Sequence, residues 1–236
     1  MWRTGGLVLA ALLALAAPVS AQAPGALVAP AQQPVNVGDA KFAAAAYHDS
    51  GAYQREIAVI AEKASAWIAE RAPQVTRPAL VLDVDETALS NWDIIKRDDF
   101  GRIIPGLCSL GQDGPCGWAA WDLLGVDPAI EPVREVFAKA RALGVAVFFI
   151  SGRPESQREA TDRNLAAAGY GGYDKLYLPA DGANFASLAD YKTPVRARIE
   201  AEGYTIIANM GDQPSDLFGG YGEKLFQLPN PFYRIP

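Results

Sequence analysis

The residues that could do chemistry fall in four short stretches: Asp83-Val84-Asp85-Glu86-Thr87, Ser151-Gly152-Arg153, Lys192, and Gly211-Asp212-Gln213-Pro214-Ser215-Asp216. Two carboxylates one residue apart can divide the work, one attacking as nucleophile and the other moving a proton. A lysine supplies fixed positive charge, a serine donates a hydrogen bond, and a second acidic pair can hold a cation. Together these suit phosphoryl transfer through a covalent carboxyl-phosphate. Asp83 would attack phosphorus, and Asp85 would protonate the leaving oxygen and then activate water. Ser151, with backbone N–H groups beside it at a helix start, would donate to the phosphoryl oxygens. Lys192 would neutralise charge, and Asp212 and Asp216 would hold a metal. An acidic cluster with neither His nor Cys suits Mg2+ better than zinc. Each stretch alone is ordinary, because turns favour Asp and a Ser-Gly after a strand is a common turn. Their order and placement carry the argument.

Three of the four follow directly on an apolar run. Residues 80–82, 145–150 and 205–209 read as strands buried on both faces, with shorter strands at 175–178 and 224–228. Ile57, Ile60, Ala61, Ala64, Trp67 and Ile68 recur at helical spacing and predict a helix over 53–71. Further helices are expected over 131–143, stopped by Gly144, and from Pro154 to about 168. Another is expected to open at Thr193-Pro194, with Lys192 just before it, and to stop at Gly203. This alternation predicts an α/β fold with a parallel sheet and right-handed crossovers, its ligands bound beyond the carboxyl ends of the strands. Residues 92–127 show no period but hold Trp92, Trp118, Trp121 and both cysteines, so they read as an insertion over the site. One of the three indoles is expected to stack on the organic part of a substrate; a small local core is the plainer alternative.

The formal charge of −6 disfavours a nucleic-acid partner, because backbone binding needs a clustered basic face and none is visible. Arg3, the apolar run 7–17 and the small residues Val19-Ser20-Ala21 read as a signal peptide over 1–21, hence an exported protein, periplasmic or extracellular, with no stable membrane anchor after cleavage. Export makes a Cys108–Cys116 disulfide plausible, free buried thiols being the alternative. Residues 22–40, rich in Pro, Ala and Gln, are expected to form an irregular leader.

The stretches VLDVDETALSN, FFISGRPESQ, YKTPVR, GDQPSDLFG and LPNPFYRIP resemble those of the haloacid dehalogenase (HAD) superfamily, subfamily IIIB acid phosphatases, a group that includes plant vegetative storage proteins. The resemblance runs from about residue 41 to 236 and is loosest over 92–127. It implies a HAD-like Rossmannoid parallel sheet with helices on both faces, a domain over 41–236 and a small cap over 92–127. For the metal it implies the Asp83 carboxylate, the Asp85 backbone carbonyl and the Asp212 carboxylate, with Asp216 direct or through water. It further implies Mg2+-dependent hydrolysis of small phosphomonoesters, some members of the family being 5′-nucleotidases. Thr87, Gly152, Arg153 and Trp92 are the expected substrate contacts. The competing expectation is a non-catalytic storage or binding protein on the same fold, against which Asp83 argues.

Overall fold

Five short strands make the centre of the computed structural model, which describes Met1 and residues 33–111 and 113–235. They are β1 (Pro78–Leu82), β2 (Ala146–Ile150), β3 (Lys175–Tyr177), β4 (Thr205–Gly211) and β5 (Leu225–Gln227), all parallel, in the order β3-β2-β1-β4-β5. The chain leaves β1 toward β2 and β3, then returns to place β4 on the other side of β1. The ends of β1 and β4 therefore flank the point where strand order reverses, the place where open α/β sheets bind ligands.

Because side chains alternate across a strand, each strand feeds two cores. Leu80, Leu82, Val147 and Phe149 face a large core built with α2 (Ala52–Arg71) and α5 (Glu131–Ala142). Ala79, Val81, Phe148 and Ile150 face a smaller core closed by Val195 and Ile199 of α7 (Ala189–Ala201). Helices thus cover both faces, as the alternation predicts. The remaining helices are α1 (Val37–Asp49), α3 (Trp92–Arg97), α4 (Trp118–Leu124), α6 (Arg158–Ala167) and α8 (Pro214–Leu217).

Several boundaries differ from expectation for identifiable reasons. The expected signal peptide and residues 22–32 of the expected leader lie outside the described residues. Residues 37–40 are not irregular, because Asn36 caps α1 by accepting the Gly38 N–H at 2.8 Å. The helix bearing Lys192 opens earlier than Thr193: Ser187 Oγ accepts the Ala189 N–H and Asp190 accepts the Ser187 N–H, a reciprocal start signal. Lys192 is consequently inside α7, which tolerates Pro194 in its interior. After β2, Pro154 is extended, a 3-10 turn spans Glu155–Gln157, and the α-helix begins only at Arg158, so Ser151 does not sit at a helix N-terminus. Cys108 and Cys116 are disulfide-bonded with Cα atoms 4.7 Å apart. Asp98 accepts the Cys116 N–H at 2.8 Å, which ties the bridged loop to the end of α3. Among the described residues no helix is long and apolar enough to cross a membrane.

Candidate active site

Two buried clusters of charge meet beside the loop that follows β1. The first begins at Asp83, whose N–H still bonds Met210 of β4 at 3.1 Å. Lys192 reaches over the sheet end, its Nζ 2.5 Å from Asp83 Oδ1 and 2.5 Å from Asp216 Oδ1. Asp216 is set by the short α8, where its Oδ2 accepts the Gln213 N–H at 2.8 Å. That helix can approach β4 so closely only because position 211 is glycine: a Cβ there would lie 2.3 Å from the Asp216 Cβ. Asp212 accepts from Thr87 Oγ1 at 3.1 Å, Gln213 Nε2 at 2.6 Å and Asn230 Nδ2 at 2.8 Å. One carboxylate oxygen from each of Asp83, Asp212 and Asp216 lies within 4.8 Å of the other two.

Three buried acids here share one ammonium. Burial, reinforced by the charge of Asp216, pushes the Asp83 carboxyl well up despite Lys192, and burial and Asp216 together raise Asp212 to about 7. Burial pulls the Lys192 ammonium down, but the charges of Asp216 and Asp83 outweigh it and leave it firmly protonated. A convergent, all-oxygen, under-neutralised donor set of this kind fits a hard divalent cation.

The second cluster surrounds Arg153. Its Nη2 lies 2.6 Å from Asp85 Oδ1, 3.2 Å from Asp127 Oδ2 and 3.4 Å from Asp122 Oδ1, while its Nε also donates to Asp85. Asn91 Nδ2 adds a bond to Asp85 at 2.9 Å. Burial favours the neutral Asp85 carboxyl, yet Arg153 outweighs it and holds that group below its ordinary value. Burial wins at the other two acids, raising Asp122 to about 7 and Asp127 to about 6 against the pull of Arg153. Asp127 is fixed on every side: Trp121 Nε1 donates to its carboxylate at 2.6 Å, and the Asn164 amide pairs with its backbone N–H and C=O at 3.0 and 2.7 Å.

Between the clusters lies a cleft of about 700 Å³. Asp83, Asp85, Asp212, Asp216, Lys192, Gly152 and Arg153 all line it, so seven of the expected residues converge. Ser151 is fully buried beside it, its Oγ accepting the Arg153 N–H at 3.1 Å. Thr87, expected at substrate, is fully buried and bonds Asp212 instead. Trp92 is also placed differently. It stacks on His48 with ring centroids 3.6 Å apart and packs against Phe232, outside the residues that line the cleft. Trp121 is buried on Asp127, and Trp118 lines the cleft while only 4% exposed, so its rings serve mainly as local core.

The sequence reading missed the struts of the site. Glu86 adopts φ of 52°, in the left-handed region that β-carbon residues rarely occupy, and turns the loop after Asp85. Its buried carboxylate accepts the Asn91 N–H at 2.6 Å and the Tyr233 hydroxyl at 2.5 Å, joining that loop to the C-terminal segment. Burial raises its carboxyl to about 8, against the lowering effect of the Tyr233 hydrogen bond. Asn230, in the Asn-Pro turn, both braces Asp212 and accepts the Phe232 N–H at 3.0 Å; that dipeptide was the signal available in the sequence.

Comparison with known proteins gives the chain's relatives. The stem 28 kDa glycoprotein of Glycine max is 33% identical over 163 residues, covering 67% of this chain and 61% of that one. Acid phosphatase 1 of Solanum lycopersicum is 32% identical over 160 residues, covering 67% and 60%. The chain therefore spans about 60% of the length of these curated relatives. The class C acid phosphatase of Bacillus anthracis shares the fold, with a TM-score of 0.66 at 21% identity over 83% of this chain and 85% of that one. Residues 20–236 match the HAD superfamily, subfamily IIIB (acid phosphatase), and the chain belongs to that family.

Proposed function

We propose that this protein is an exported, Mg2+-dependent phosphomonoesterase that works through an aspartyl-phosphate on Asp83. The observation that carries the reading is Lys192 bridging Asp83 and Asp216 at 2.5 Å each, with Asp212 alongside, where strand order reverses. Asp83, Asp212 and Asp216, with the Asp85 carbonyl, would hold the cation; when bound it neutralises the phosphoryl oxygens and lets a dianion approach three acids. The domain would run over 41–236, with 92–127 as cap.

In the first step an Asp83 oxygen attacks phosphorus and the ester oxygen leaves, taking a proton from Asp85. Lys192 offsets charge between the nucleophile and the phosphoryl group. In the second step Asp85, now ionised, takes a proton from water, which attacks phosphorus and releases phosphate and free Asp83. Arg153 acts through Asp85 as a positioning residue: it aims the carboxyl and stabilises the ionised form that the second step needs. Because the same contact opposes protonation, the first step should quicken as pH falls.

The test is a panel of phosphomonoesters, nucleoside 5′-monophosphates included, assayed with and without EDTA in the wild type and in Asp83→Asn. Hydrolysis restored by Mg2+, trapping of an acid-stable phosphoenzyme, and a loss of about 10⁴-fold or more in the variant are expected. Full turnover after exhaustive EDTA treatment, or phosphoenzyme in Asp83→Asn, would overturn the mechanism.

A further inference from the structure

Among the described residues three cationic side chains line the cleft, and two are saturated. Lys192 is held by Asp83 and Asp216, and Arg153 by Asp85, Asp122 and Asp127. The third, Arg102, has no carboxylate or hydrogen-bond partner among the described residues. It comes from the segment between α3 and α4, and its guanidinium lies over the Trp118 indole, 5.4 Å from the ring centroid. That ring is itself fixed, buried and edge-packed on Tyr233 at 5.4 Å. The platform therefore holds the exposed guanidinium at the cleft wall and leaves its donors open.

A charge so placed is unneeded for the phosphoryl group, whose counter-charges would be Lys192 and the cation that Asp83, Asp212 and Asp216 would hold. The surrounding wall is acidic, so an unpaired guanidinium there offers selective recognition of an anion on a different part of the ligand. We infer that Arg102 is a specificity residue, and that the preferred substrates are phosphomonoesters whose organic part carries a second anionic group, a carboxylate or another phosphate. The inference rests on the phosphatase reading and adds to it a substrate class.

The experiment uses matched pairs on the full chain with Mg2+. One is para-carboxyphenyl phosphate against para-carbamoylphenyl phosphate; the other is butanediol bisphosphate against hydroxybutyl phosphate. The quantity read is the ratio of kcat/KM, charged over neutral, in wild type, Arg102→Gln and Arg102→Lys. Taking each ratio relative to wild type cancels leaving-group reactivity and any effect on Asp85 common to both members. In Arg102→Gln the ratio should fall about tenfold for at least one pair, as expected for one charge-assisted hydrogen bond in an open cleft. Arg102→Lys should retain part of it, and added salt should shrink the wild-type preference. The pair that responds tells carboxylate from phosphate. Equal ratios in wild type and Arg102→Gln for both pairs would overturn the inference while leaving the phosphatase intact. No hydrolysis of any of the four would overturn both.

Discussion

The Lys192 cluster and the Arg153 cluster have the same formal content, three carboxylates and one cation, all buried except the partly exposed Asp85, and they meet at Asp83 and Asp85 on either side of Val84. They differ in what the cation does. The Lys192 ammonium is a point charge that reaches two of its acids and leaves oxygens of Asp83, Asp212 and Asp216 converging within 4.8 Å. The Arg153 guanidinium is a planar fork whose donors spread over Asp85, Asp122 and Asp127. Among the described residues only the first group converges enough to hold a metal. Charge count does not decide the role of such a cluster; the shape of the cation does. One arrangement invites a second cation, and the other completes itself and immobilises a single carboxyl.

The contrast breaks most visibly at Asp85. If Arg153 presents Asp85 as acid and base, Asp85→Asn should slow phosphoenzyme formation by roughly 10²- to 10⁴-fold for an alkyl phosphate and much less for nitrophenyl phosphate, whose leaving group needs no proton. Single-turnover measurement is required, since the second step suffers with every substrate. In the wild type the alkyl-phosphate rate should rise as pH falls, and the variant should lose that dependence. Equal losses for both substrates would make Asp85 part of the first cluster after all.

Next in size is Lys192→Met. Turnover should drop about 10²- to 10³-fold, the scale seen when one preorganised charge partner is removed. The metal-free variant should also lose about 3–5 kcal/mol in urea unfolding, because two buried carboxylates lose their partner. Added Mg2+ should return much of that stability. A third effect separates the clusters directly: Mg2+ at a hundred times its Kd should stabilise the wild type by about 2.7 kcal/mol. Asp212→Asn should reduce that increment and Asp127→Asn should not, and the reverse result would place the cation in the wrong cluster.

The four chemical stretches were legible because each ends a strand or sits on a helix facing a strand end, and apolar runs announce strands. Lys192 was legible as a residue but not in its setting, since Pro194 resembles a first helical position and masked the Ser187–Asp190 start. The struts were visible as residues but not as struts. Asn91, Asn230 and Tyr233 fall in stretches that carry the family resemblance, and Asn230-Pro231 signals a turn, yet neither fact names a partner; Asn164 is a single polar residue without period, and Asp122 and Asp127 fall in a stretch with no strand to tie them to the site. Apart from Asn91, which bonds the nearby Asp85 and Glu86, they find partners far off in sequence that only the fold brings together. Trp92 shows the converse: closeness in sequence to the site does not put the indole on the cleft wall, and α1, hidden in an Ala-rich run, supplies the His48 on which it stacks.

The smallest expected effect tests the charge state of the Arg153 cluster. Asp122 has a carboxyl raised to about 7 in the folded protein against an ordinary value of 3.8, by burial first, with Arg153 opposing and Asp85 and Asp127 reinforcing. Below pH 3.8 both folded and unfolded chains carry its proton, and it contributes no pH dependence. Between that value and about 7 the unfolded chain has released the proton while the folded chain keeps it, so stability must fall as pH rises through this window. Above it both are ionised and the slope vanishes. Urea unfolding across the window, with Mg2+ saturating so that the first cluster is silent, should therefore show a steeper decline in the wild type than in Asp122→Asn. Arg153 stays protonated across the window in both chains, and Asp85 and Asp127 are present in both, so the difference reports Asp122 together with its influence on those two neighbours. Coincident slopes would mean that Arg153 keeps all three acids ionised, and that the two clusters differ in geometry alone.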